Sequence, residues 1–222
     1  MASVTHAPSE TRPPYTRAEL VADAVVHGLA IAAAGAAAAV LLAAVAGSGD
    51  GRVVTAAAVF ATALIAMPSV SAAYNLSPPG PRREFLRRVD QATIFVMIAA
   101  TYTPFGLVAL GGTLGHALLA LVWLAAVVGA ISKLWHPSWL SVRRSALLYL
   151  ALGWCALPAI GPLAATLGGV TLGLVGLGGV LYSLGVIFHL WTTLPYHNAI
   201  WHGFVVAAAA CHVVAVFDVL VG

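Results

Sequence analysis

The stretch RRVDQATIFVMIAATYTPF, Arg87 to Phe105, decides how this chain is read. Four arginines (Arg82, Arg83, Arg87 and Arg88) stop abruptly, one carboxylate follows at Asp90, and the sequence is then almost wholly apolar up to Pro104. That is the start of a membrane-spanning helix with an acid placed just inside it. An ionisable group at the edge of an apolar helix is expensive to bury unless it finds partners, so Asp90 marks a functional site or a structural hydrogen-bond node.

The surrounding composition agrees. The chain has 222 residues, of which 61% are hydrophobic and 8% charged, and its mean hydropathy is +0.98. This excludes an ordinary soluble domain and indicates an integral membrane protein. A helix needs about twenty apolar residues to cross ~30 Å of hydrocarbon, and seven such spans can be drawn: 22–46, 53–74, 89–110, 114–134, 145–165, 167–188 and 199–221. The expected fold is therefore an all-α bundle of seven transmembrane helices. Pro158 and Pro162 interrupt the fifth span and glycines loosen the sixth, both of which membrane helices tolerate. Residues 1–18 read as a disordered cytoplasmic tail, with Pro8, Pro13 and Pro14 before Thr16, and residues 19–222 as a single domain. Glu10, Arg12, Arg17 and Glu19 precede the first apolar run, unlike a cleavable signal peptide.

Charge asymmetry sets the expected orientation. Arg12, Arg17, Arg82, Arg83, Arg87, Arg88, Lys133, Arg143 and Arg144 fall on one side of the membrane, and Arg52 alone on the other. This puts the N-terminus in the cytoplasm and the C-terminus outside, with Trp135, Trp139, Trp191 and Tyr196 in the cytoplasmic interfacial belt. The basic residues are strung along loops rather than gathered on a face, so the expected partners are membrane lipids and not nucleic acid. Cys155 and Cys211 lie within apolar spans, without CxxC spacing, and read as packing residues.

The intramembrane polar residues do not scatter. Glu19, Asp23 and His27 recur every four residues, on one face of the first helix. Ser71 and Asn75 are one turn apart at the end of the second span, Asp90 opens the third, and Asn198 and His202 are one turn apart at the start of the seventh. Four helices thus bring polar groups to one leaflet. His212 lies deeper in the seventh span, about 40° from the row of Asn198, and is placed in the same bundle interior. His136, His189 and His197 read as solvated loop or interface residues. Any one of these polar residues alone fits an interhelical hydrogen bond, but their shared depth points to a site.

The segments SAAYN (Ser71 to Asn75), RVDQATIFVMIAATYTPF (Arg88 to Phe105), GGVLYSLGVIF (Gly178 to Phe188) and PYHNAIWHGFVVAAAACH (Pro195 to His212) resemble the hemolysin III family, bacterial relatives of the progestin and adiponectin receptors. ELVADAVVHG at the start of the first span is similar as well. The resemblance implies seven transmembrane helices with a cytoplasmic N-terminus. The wider superfamily, which takes in alkaline ceramidases, implies an intramembrane zinc held by three histidines, a nearby Ser and Asp, and hydrolysis of lipid amides. Carried over by position, the serine falls on Ser71, the aspartate on Asp90, and the three zinc ligands on Asn75, Asn198 and His202. Only one imidazole remains, and an Asn amide is a poor zinc donor. The expectation is of no bound cofactor, with zinc the one metal that the resemblance keeps open.

Three functions stay open at this point. The first is non-enzymatic: the polar cluster holds the bundle or binds a lipid headgroup, in membrane homeostasis, sensing or the permeabilisation that the family name implies. The second is a metal-dependent hydrolase of lipid amides or esters, with Asp90 as general base. The third is a transporter built on the broken fifth span. The non-enzymatic reading is preferred, because the metal ligands are lost and Ser71 has only an amide one turn away, where serine catalysis needs a base within ~3 Å.

Overall fold

The computed structural model describes residues 15–136 and 141–222, and no strand occurs among them. The helices are α1 (Arg17–Val45), α2 (Gly51–Asn75), α3 (Pro81–Pro104, continued as a π-helical stretch over Phe105–Leu110), α4 (Gly112–Trp135), α5 (Val142–Gly153), α6 (Ile160–Thr166), α7 (Gly169–Leu190) and α8 (His197–Val221). With α5 and α6 read as one interrupted span, Val142–Thr166, seven helical segments among the described residues are long and apolar enough to cross a membrane. The chain is an all-helical, seven-span, multi-pass membrane protein. Trp139 lies outside the described residues, while Trp135 is 70% exposed at the end of α4.

Two helices begin well before their apolar runs, each for a local reason. α1 starts at Arg17 rather than near residue 22. The Thr16 hydroxyl accepts from the Glu19 N–H at 3.2 Å, and the Glu19 carboxylate accepts from the Thr16 N–H at 2.9 Å. This reciprocal capping box satisfies two otherwise orphaned donors. Residues Thr16 to Ala18, expected in a disordered tail, are thus the cap and first turn of a helix. α3 begins at Pro81 instead of near residue 89, because proline is pre-organised for the first helical position. Glu84 then bridges Arg87 at 2.7 Å and Arg88 at 3.2 Å along one face. At the far end of α1, Asp50 caps α2 and pairs with Arg52 at 2.6 Å, and this pairing holds the Asp50 carboxyl below its ordinary range.

α1 touches α2 and α8, and α3 touches α2 and α8, so these four helices close a ring. The buried residues of α1 are Glu19, Asp23, His27, Ala34, Ala38, Leu41 and Val45, a stripe repeating every three to seven residues. Its first turns are polar and the rest apolar. The apolar half packs with Phe60, Met97, Ala100 and Val216, which leaves the polar half to form the site.

The remaining helices lean on this ring. The break between α5 and α6 frees backbone groups inside the membrane, and Tyr102 engages them. Its hydroxyl lies 3.1 and 2.7 Å from the carbonyls of Leu152 and Gly153, and it accepts from the Ala156 N–H at 3.2 Å. A broken membrane helix persists only where such partners exist. The π-helical end of α3 brings backbone against α4, where a Cβ built on Gly115 would stand 2.2 Å from the Gly106 carbonyl oxygen. A backbone carbonyl cannot rotate away, so Gly115→Ala should lower stability by about 1–3 kcal/mol. Thermal denaturation in detergent micelles checks this, with Gly28→Ala, where a Cβ meets open space, as the control that should not fall.

Candidate functional site

The polar half of α1 faces α8 and α2. His202 on α8 donates from Nδ1 to Asp23 Oδ1 at 2.8 Å. That proton on Nδ1 leaves Nε2 as an acceptor, and Nε2 lies 3.4 Å from Ser71 Oγ on α2. Asp23, His202 and Ser71 therefore form a line of carboxylate, imidazole and hydroxyl drawn from three helices. Asp90 on α3 belongs to the same group, with Ser71, His202 and Asp23 within electrostatic reach.

His27 sits one turn above Asp23. Its Nδ1 donates to the Asp23 backbone carbonyl at 2.8 Å and stands 3.6 Å from Asp23 Oδ2. Its ring meets that of His202 edge-on, with centroids 4.2 Å apart. His27 is only 2% exposed, yet its Nε2 has no hydrogen-bond partner among the described residues. Asp23, His27 and His202 can each offer one donor atom with all three within 4.8 Å of one another. That spacing suits a metal ion after small side-chain adjustments.

The three zinc positions implied by the resemblance do come together, but not as ligands. Asn198 Nδ2 donates to Asn75 Oδ1 at 3.1 Å, and Asn75 Nδ2 donates to the Ser71 carbonyl at 3.0 Å and approaches Ser71 Oγ at 3.3 Å. The Asn75 carbonyl oxygen is already engaged, and two amide nitrogens hold no lone pair to give a cation. A three-histidine zinc site does not fit here. The two amides form a hydrogen-bonded clamp between α2 and α8 instead.

Above the line lies a small polar cleft, lined by Tyr15, Glu19, Asp23, Asn75, Arg83 and Asn198 among others. Glu19 joins it to the chain entering α8, since its carboxylate accepts from the Tyr196 N–H at 2.9 Å. Tyr196 adopts a left-handed conformation with φ of 58°, and the turn swings His197 inward. His197 is thus not solvated as expected from its loop position: it is 5% exposed and within 3.3 Å of the Tyr15 hydroxyl. His189 is also partly buried, against Trp201 with ring centroids 5.1 Å apart. Arg83 lies over the Tyr74 ring at 5.3 Å, and its Nε is buried without a hydrogen-bond partner among the described residues.

Of the residues grouped by sequence, Glu19, Asp23, His27, Ser71, Asn75, Asp90, Asn198 and His202 gather here, and His212 does not. His212 donates from Nδ1 to the Ala208 carbonyl at 2.9 Å and packs against Gly178 and Tyr182. It lines a separate apolar cavity of about 140 Å³ with Tyr102, Trp154 and Gly179. The imidazole beside Ser71 comes from α8, where the spacing along α2 alone offers only the Asn75 amide. Asp23 and His27, whose spacing of four on one face is visible in the sequence, join His202 as a group that could hold a metal ion.

Comparison with known proteins places the chain. A family model described as haemolysin-III related matches residues 17–213. The hemolysin-3 homolog of Bacillus subtilis (strain 168) is 34% identical over 196 residues, covering 88% of this chain and 92% of that protein. Hemolysin-3 of Bacillus cereus is 43% identical over 122 residues, 55% of each chain. The monocyte to macrophage differentiation factor of Homo sapiens is 32% identical over 133 residues, 59% of this chain and 54% of that one. No solved structure matches. By the extent of the model match and the coverage of the Bacillus subtilis relative, the chain belongs to the hemolysin III family.

Proposed function

We propose that this protein is an intramembrane acyl hydrolase that acts on an ester or amide bond of a membrane lipid, with Ser71 as nucleophile. The observation that carries this reading is the line Asp23–His202–Ser71, at 2.8 and 3.4 Å. Such a constellation is recognised by geometry and roles, whatever fold bears it. Ser71 Oγ attacks the acyl carbonyl carbon as its proton passes to His202 Nε2. Asp23 holds the ring in the required tautomer, and Asp23 and Asp90 together favour the imidazolium that forms. The Asn75 amide, 3.3 Å from Ser71 Oγ, is a donor beside the point where the oxyanion develops. His202 then returns the proton to the departing alcohol or amine, leaving an acyl ester on Ser71. Water, activated in turn by His202, releases the carboxylic acid and restores the hydroxyl. This reverses the preference drawn from sequence for a non-enzymatic protein, because a base now stands beside the serine.

Arg83 defines the class of substrate. A guanidinium lining the cleft, its buried Nε without a hydrogen-bond partner among the described residues, suits a lipid bearing a phosphate or carboxylate headgroup. The same feature supports a second reading, in which the cleft binds such a headgroup without chemistry, as a lipid sensor. The site opens to the cytoplasmic leaflet, since nine of the ten basic residues fall on that side.

A fluorophosphonate probe applied to the purified, membrane-reconstituted protein should label Ser71, as peptide mass mapping would report. His202→Gln should slow labelling by about 10²- to 10⁴-fold, with Asp23→Asn slower as well. Absence of label on Ser71, or labelling undiminished by His202→Gln, would leave only the binding reading. For orientation, a reporter fused after Gly222 should read as external and one inserted in the Arg82 to Arg88 segment as cytoplasmic; the opposite pattern would move the site to the outer leaflet.

A further inference from the structure

The geometry points to a divalent metal site on Asp23, His27 and His202, sharing only His202 with the ligand positions implied by the family resemblance, whose occupancy switches Ser71 off. Its consequence for Ser71 rests on the hydrolase reading above, while the metal site stands on its own geometry.

His27 is the observation that singles this site out. A histidine that ligates a metal almost always donates its other ring N–H to a carboxylate or backbone carbonyl, which fixes the tautomer and aims the free nitrogen. His27 has that arrangement already: Nδ1 donates to the Asp23 carbonyl at 2.8 Å, so Nε2 carries a lone pair. Nε2 is buried and unpartnered, which costs stability unless something occupies it. The Asp23 carboxylate and a His202 nitrogen lie in the same group of three, within 4.8 Å. Two imidazoles and a carboxylate are a donor set that suits zinc and leaves a further coordination position open.

Filling this site changes His202. With Nδ1 bound to the metal, the proton that Nδ1 now gives Asp23 must leave it, and Nε2 becomes the protonated nitrogen facing Ser71. An N–H donor cannot accept the serine proton, so nucleophile activation stops. Asp23 is drawn from its orienting role into coordination by the same event. No bond to substrate is involved: the proton leaves Nδ1 and is taken up at Nε2, so the imidazole stays neutral while its donor and acceptor nitrogens exchange.

The test uses the full chain, reconstituted and stripped of metal with a chelator, then titrated with zinc alone. Elemental analysis should find one zinc per chain, and thermal denaturation should shift upward with zinc concentration. The rate of Ser71 labelling should fall as the site fills and return on chelation. His27→Gln should weaken zinc binding by about tenfold or more and remove the zinc sensitivity of labelling, each protein being compared with its own metal-free rate. No stoichiometric zinc in the parent protein, or zinc retained undiminished by His27→Gln, overturns the site. Zinc bound through His27 with labelling unchanged or accelerated overturns the switch. Absence of labelling even without metal would instead defeat the hydrolase reading, and the metal site would still be judged by zinc content and its loss in His27→Gln.

Discussion

The hydrogen bond between His202 Nδ1 and Asp23 Oδ1, 2.8 Å long, is the contact on which the polar half of this bundle depends. It joins the first and last membrane-spanning helices, with both side chains largely buried. A buried carboxylate without such a partner would be strongly unfavourable, and so would the polar groups around it. Once the pair is made, the rest follows in order. The ring is fixed, its second nitrogen points at Ser71, and Asn75 and Asn198 close the gap between α2 and α8. The apolar half of α1 is then free to pack as any membrane helix does.

The exchange of imidazole for amide at Asn75 and Asn198 has a chemical meaning in this frame. Those positions still meet, but as donor and acceptor in a clamp. The donors that suit a metal lie one layer across, on α1, where His27 Nε2 waits without a partner. His202 belongs to both arrangements. In the proposed readings it would be the acceptor for Ser71 in one and a ligand in the other, and it could not serve in both at once. A single imidazole at this junction would make the proposed serine chemistry and metal binding exclusive.

Much of this was legible in the sequence, and the rest was hidden for identifiable reasons. Seven apolar runs fixed the spans, because the length needed to cross hydrocarbon leaves few alternatives. Helix starts were harder. Thr16 and Glu19 form a capping box, and Pro81 begins a charged extension of α3, so both helices outrun the apolar pattern. The row Glu19, Asp23, His27 could be read from its spacing alone, and so could the shared depth of Ser71, Asp90 and His202. Spacing within one helix says nothing about which neighbour it faces, however. That is why the base for Ser71 was sought one turn away on α2, and why Asp23 was not paired with His202. His212 was misplaced for the opposite reason: its angle was about right, but its depth carried it to the apolar cavity beside Gly178. His197 needed the left-handed turn at Tyr196 to come inward, and a tyrosine gives no sequence signal for that conformation.

The central claim is that Asp23, His202 and Ser71 act as one unit, and a double-mutant cycle tests it most directly. The acylation rate of Ser71 would be measured for the parent, Asp23→Asn, His202→Gln and the combined variant, all free of metal. Residues that work through one another are strongly non-additive, so the account predicts that the double variant is no slower than His202→Gln alone. Losses that simply multiply would show that Asp23 and His202 act independently, and would contradict it.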